Sequence, residues 1–288
     1  MSDRMIRIMT EDGSLRAVAA VTTDLVEECR RRQDTDPTAT VALGRLATGA
    51  ALMGSLLKGE QRLALMIEGN GPLKKLHAET DAYGQVRASI KEPVSALPLR
   101  QGKFDVAAAV GRAGFLHVIK DLGLKEPYRG MVQLQSGEIA EDLAYYLTTS
   151  EQVPSTVALG VYLDPDRGVA AAGGFLIQLL PGGDESLIPL IEANLAALPA
   201  TTALLRQGES PVQILTRIFA GIPFSVKDEI PLSFRCNCSR EQVAGMLRSL
   251  GEKELREMAT GGEETVVTCE FCKERYGFTP VEVAEFIP

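Results

Sequence analysis

The chain has 288 residues, 45% of them hydrophobic and 24% charged, and its formal net charge is −8. This is the composition of a globular protein with room for two or three units, and its acidity argues against nucleic acid as a bulk partner. No stretch approaches the roughly 18 consecutive apolar residues of a membrane span. The opening "MSDRMIRIMTEDGS" lacks the basic start and apolar run of a secretory signal, so the expected compartment is the cytoplasm, with no membrane partner.

Residues 5–22 read as two short strands around an "EDGS" turn. "TDLVEECRRRQ" follows as a helix with Thr23 or Asp24 as N-cap. After Pro37, the run from Val41 to Leu57 is apolar on nearly every face, the mark of a helix buried in a core; Arg45 within it and Lys58 at its end argue for burial in protein. From 61 to 135 the pattern changes to strands, "QRLALMIEG", "LKKLHAET", "YGQVRASI", "GFLHVIKD" and "YRGMVQLQ", with turns such as "GNGP" and "DAYG" between several of them. Ser136 is the expected cap of a helix over "GEIAEDLAYYLTTSEQ", and two strands follow, "TVALGVYLD" and "GVAAAGGFLIQLL". Strands arrive in runs rather than in βαβ alternation. The prediction is an α+β fold with a mainly antiparallel sheet and a buried helix, its core domain spanning residues 1–180.

Residues 184–222 read as helical and rich in Leu, Ile and Ala, broken by Pro189, Pro199 and Pro211. Leu187, Ile191, Leu195 and Leu198 make an apolar stripe at helical spacing. A linker this apolar, assigned to 181–231, must lie on something. The remaining unit, 232–288, is small enough to need a staple such as a metal or disulfides.

Four of the five cysteines fall in that last unit, Cys236 and Cys238 as C-x-C and Cys269 and Cys272 as C-x-x-C. In a reducing compartment clustered cysteines hold metal or do redox chemistry more often than they form permanent bridges. Four thiolates satisfy the tetrahedral preference of zinc without other residue types. On spacing alone a structural zinc that folds the tail is the simpler reading. The flanking Arg235, Arg240, Lys273 and Arg275 favour the nucleophilic thiolate and leave room for a site that switches.

A zinc-stapled module that binds nucleic acid or protein without switching is the alternative. Between Cys236 and Cys272, however, Arg240, Arg248, Lys253 and Arg256 are outnumbered by Glu241, Glu252, Glu254, Glu257, Glu263, Glu264 and Glu270, a balance that repels phosphate. Enzymatic readings find little support. The only histidines, His77 and His117, lie in strand-like stretches, and no P-loop, nucleophile elbow or zinc-protease motif occurs. Cys29 sits on a predicted helix among Glu27, Glu28 and Arg30, with no cysteine nearby in sequence, and reads as a bystander.

With "FRCNCSRE" and "CEFC" stand "EGNGPL", "YRGMVQLQSGEIAEDLAYYLTTSEQVPS" and "AAGGFLIQLLPG". Together these segments resemble the redox-regulated chaperones of the heat shock protein 33 family, over essentially the whole length. The resemblance implies a bacterial cytosolic holdase active without ATP, and no enzyme. It implies one zinc held by Cys236, Cys238, Cys269 and Cys272 in a reduced, inactive state. Oxidants would release the metal and form Cys236–Cys238 and Cys269–Cys272 disulfides. The zinc unit and linker would then loosen and expose surface for unfolded client proteins, and the active form would be a homodimer. The stripe Leu187, Ile191, Leu195 and Leu198 is the candidate client surface.

Overall fold

The computed structural model describes residues 2–166 and 168–287, and the chain divides into two compact units between Arg235 and Cys236. The first opens with β1 (Arg4–Thr10) and β2 (Leu15–Val21), then α1 (Thr23–Gln33) and α2 (Pro37–Gly54). Next come β3 (Arg62–Gly69), β4 (Lys75–Asp81), β5 (Gln85–Ile90), α3 (Val106–Val110), β6 (Gly114–Asp121), β7 (Tyr128–Gln133) and α4 (Ala140–Thr149). The long strands β8 (Ser155–Asp164) and β9 (Gly168–Leu179) lead into α5 (Ile188–Ala197), α6 (Thr201–Arg206) and α7 (Pro211–Ile218), and the unit closes with β10 (Phe224–Pro231) and β11 (Ser233–Phe234).

Two sheets result, a five-stranded one in the order β10-β1-β2-β9-β8 and a six-stranded one in the order β11-β5-β4-β3-β6-β7. All their pairings are antiparallel except that of β11 with β5. This is the predicted α+β class with antiparallel sheets. The expected buried helix is α2, in which every residue but Pro37 and Arg45 is buried. Its side chains share one core with Leu63, Leu65 and Ile67 of β3, Leu116 and Val118 of β6, and Val18 and Leu176 of the five-stranded sheet. A helix apolar all round is stable only with protein on every side, and here the two sheets supply it. Arg45 meets the Glu138 carboxylate at the rim.

The opposite face of the five-stranded sheet carries a second core. Ile6, Ile8, Ala17, Ala19, Phe175 and Ile177 pack there against Ile191, Leu204, Ile214, Leu215 and Ile218 of the three helices. The apolar linker does have a dock within this unit. Two of its three prolines start helices rather than break them: Pro189 and Pro211 sit in the first turns of α5 and α7, where a missing N–H costs nothing, and Pro199 alone lies between helices. The segment 181–231 is not helical to its end. Phe224–Pro231 forms β10 and pairs with β1, because the alternation in "FSVKDEIP" suits a half-covered edge strand.

Both predicted caps on the early helices move. Neither Thr23 nor Asp24 caps α1; Thr22 occupies the N-cap position without a side-chain cap bond, and the Asp3 carboxylate accepts from the Leu25 N–H at 2.7 Å. Ser136 does not cap α4. Asp142, fully buried in the first turn of α4, accepts from the N–H groups of Gln135, Ser136, Gly137 and Ile139. A carboxylate reaching back from inside the helix satisfies four donors that one serine hydroxyl cannot.

The second unit contains α8 (Arg240–Arg248), α9 (Glu252–Thr260), β12 (Thr265–Thr268), β13 (Arg275–Phe278) and α10 (Pro280–Ala284), with β12 and β13 forming an antiparallel hairpin. Its core is small: Val243, Ala244, Leu247, Leu255, Phe278 and Val283. Ser239 and Thr279 cap α8 and α10 from their side chains.

Candidate metal centre

The four clustered cysteines meet at one end of the second unit. Cys236 and Cys238 lie in the extended segment before Ser239 turns the chain into α8. Cys269 and Cys272 flank the turn between β12 and β13. There the Lys273 N–H donates to the Cys269 carbonyl at 3.0 Å and the Cys269 N–H to the Glu274 carbonyl at 2.9 Å. Lys273 takes a left-handed φ of 61°, which folds the turn back so that both of its thiols point one way.

All four sulfur atoms lie within 4.8 Å of one another. Cys236 Sγ is 3.7 Å from Cys269 Sγ, and Cys238 Sγ is 3.3 Å from Cys272 Sγ. Sulfurs about 2.3 Å from a tetrahedral ion would be about 3.8 Å apart. The cluster therefore has the dimensions to hold one metal ion, with each pair of cysteines contributing half of the ligands. All four are free thiols, and the two short contacts cross from the C-x-C to the C-x-x-C pair.

Burial pushes the Cys272 thiol up to about 12 and raises that of Cys238. Four thiolates this close also repel one another. The deprotonated set is favourable only around a cation, which reverses the local preference for the protonated form. The Tyr276 hydroxyl lies 3.1 Å from Cys238 Sγ, and its own titration is raised first by that contact and then by burial. Of the flanking cations, Arg240 donates to the Gly277 carbonyl and to Glu282 and stacks 4.3 Å above the Phe278 ring.

The family model described as "Hsp33 protein" matches residues 3–279. A 33 kDa chaperonin of Syntrophotalea carbinolica is 67% identical over 100% of both chains. One from Geobacter sulfurreducens is 52% identical over 98% of this chain and 94% of its own. The chain belongs to the Hsp33 family.

A crystal structure of the 33 kDa chaperonin, a heat shock protein 33 homologue, from Thermotoga maritima superposes with a TM-score of 0.93 at 38% identity, covering 100% of this chain and 98% of that one. Hsp33 membership and the chaperonin names support a chaperone, and a chaperone family implies binding of client proteins. Among the described residues of this Hsp33 protein, no helix is long and apolar enough to cross a membrane.

The apolar stripe and Cys29 lie in the first unit of this Hsp33 chain. Of the stripe, Ile191 is buried, while Leu187, Leu195 and Leu198 are only partly covered against the five-stranded sheet. By contrast α7 buries Ile214, Leu215 and Ile218, so α5 is the more weakly docked helix. Cys29 is buried on α1; burial first and the Glu28 charge second push its thiol up to about 12. Sequence reading missed Tyr276. The signal available was its position in "CKERY", where a short strand returning from the turn brings the ring back beside the ligands.

Proposed function

We propose that this Hsp33 protein is a redox-regulated holdase that works without ATP, with Cys236, Cys238, Cys269 and Cys272 holding one zinc ion in the reduced, inactive form. The observation that carries the reading is the single cluster of four thiols at tetrahedral spacing. Zinc, when bound, supplies no redox chemistry of its own and serves as the staple of a unit whose apolar core is small.

Oxidation by peroxide removes two electrons per disulfide. Four thiolates and two peroxides, with four protons, give two disulfides, four waters and the released ion. The pairing proposed is Cys236–Cys238 and Cys269–Cys272. All four sulfurs are within mutual reach, so loss of the ion permits it without large movement of the turns. Loss of the staple loosens the tail, and the apolar helices packed on the five-stranded sheet become the next weakest element. Leu187, Ile191, Leu195 and Leu198, or the sheet face beneath them, are then available to unfolded clients. Activation as a homodimer in a normally reducing cytoplasm belongs to the same proposal, as does the lack of nucleic-acid and membrane partners and of catalysis.

The test measures metal content, disulfide map and suppression of client aggregation on one sample before and after peroxide, and again after reduction with zinc. The expected result is loss of one zinc, the two short-range disulfides and a reversible gain of activity. Cys269→Ser should weaken zinc binding in metal-limited competition. Activity that rises while zinc stays bound, or zinc stoichiometry unchanged by Cys269→Ser, would sink the mechanism.

A further inference from the structure

The two residues of β11 close one edge of the six-stranded sheet. Their pairing with β5 is the only parallel one in either sheet among the described residues. The Ser233 N–H donates to the Gly84 carbonyl at 3.1 Å and the Arg235 N–H to the Val86 carbonyl at 3.0 Å. Between them Phe234 places its ring under the Arg32 guanidinium, 4.7 Å from Cζ to centroid, and Leu232 is buried in the main core. The strand is short, parallel and at an edge, the weakest form of sheet pairing. Cys236 follows Phe234 by two residues, so the strand ends where the metal centre begins.

The β5 edge is shaped for close approach of a backbone. Gly84 has φ +79°, and a Cβ there would meet the Pro231 carbonyl oxygen at 2.2 Å and Leu232 Cδ2 at 3.2 Å. A cavity of about 550 Å³ adjoins β11, lined by Asp3, Leu25, Arg32, Leu232 and Phe234 among others. An edge with outward carbonyls, alternate apolar sockets and an adjoining cavity is a strand acceptor.

We infer that the β5 edge at Gly84–Val86 is a binding site for an extended segment of unfolded polypeptide, for which β11 is the resident occupant. The ligand is a parallel strand with an aliphatic residue, any residue and an aromatic one in succession, as in Leu232-Ser233-Phe234. It pairs by two backbone N–H groups and seats the aromatic ring against Arg32. The inference rests on the redox reading only for how β11 is released.

The experiment uses the full chain and opens the edge without oxidant. Ser233→Pro with Arg235→Pro removes the two N–H groups, one in β11 and one just after it, that donate to the β5 edge, and leaves every cysteine in place. The probe is the hexapeptide IPLSFR, unmodified, N-methylated at Ser and Arg together, or N-methylated at Phe alone, whose N–H faces away from β5. Binding is read from amide shifts of Gly84 to Ala88 in the reduced, zinc-loaded chain. The double-proline variant should bind the unmodified and Phe-methylated peptides and bind the doubly methylated one at least tenfold more weakly; the unsubstituted chain should bind none.

Equal binding of all three peptides, or no binding by a variant that keeps its metal and circular dichroism, overturns the inference. Should the proline variant lose its fold, Phe234→Ala, which removes only the ring from its place on Arg32, must show the same methylation pattern. No arm uses peroxide, so failure of the redox mechanism would be seen in the zinc-release assay and would leave this result standing.

Discussion

Leu255→Ala tests whether the second unit depends on its metal for folding. Leu255 lies on α9, is 0% exposed and packs among Val243, Ala244, Leu247, Phe278 and Val283. Deleting a leucine side chain from a closed core costs about 2–5 kcal/mol. A core this small rarely supplies more than about 3–5 kcal/mol of net stability, so the metal-free variant tail should be unfolded. Metal binding then supplies the folding free energy, and the loss passes into apparent affinity as a weakening of roughly thirtyfold to several thousandfold. The assay is competition for zinc with a chromophoric chelator, on the full reduced chain. Leu65→Ala is the control: Leu65 is also 0% exposed, but it lies on β3 in the first unit, and zinc affinity there should not change. Unchanged affinity in Leu255→Ala, with amide protection of the metal-free tail retained, would refute the reasoning, because the tail would then fold on its own core.

Cys29→Ser should leave zinc release and activation intact, and alkylation of the native chain should spare Cys29, because its thiol is buried and pushed up to about 12; a peptide map with Cys29 bridged to Cys236 or Cys269 would contradict this. Asp3 is raised from 3.8 to about 6, first by burial, so its contribution to stability is fully present below about pH 4 and is lost as pH rises through 6. Asp3→Asn, which keeps an acceptor for the Leu25 N–H, should therefore flatten the rise in urea midpoint on going from pH 7 to pH 5, and an unchanged slope would show that Asp3 is not the group responsible. Asp142→Ala leaves the N–H groups of Gln135, Ser136, Gly137 and Ile139 without their acceptor and should cost at least about 3 kcal/mol by denaturant unfolding; a loss below 1 kcal/mol, about the worth of one ordinary hydrogen bond, would mean that water or a neighbour replaces the carboxylate.

The sequence by itself determined what depends on local periodicity and spacing. The apolar run around α2 required burial on all sides, the strand runs required antiparallel sheets, and C-x-C with C-x-x-C announced a four-thiol site. Tertiary structure decided what depends on residues distant in the chain. The cap of α1 comes from Asp3 and that of the turn before α4 from Asp142, because a buried donor takes whichever carboxylate the fold delivers, whatever residue precedes it. β10 could not be separated from the helical linker before it, since an edge strand draws its stability from the partner β1 at the other end of the unit. β11 is only two residues long and has no periodicity to read; β5 alone makes it a strand. At the metal centre the residue types were legible, but the closest sulfurs are Cys236 with Cys269 and Cys238 with Cys272, and Tyr276 stands beside them. Those contacts exist because the β12–β13 hairpin folds back onto the segment before α8, and spacing along a chain carries no record of that angle.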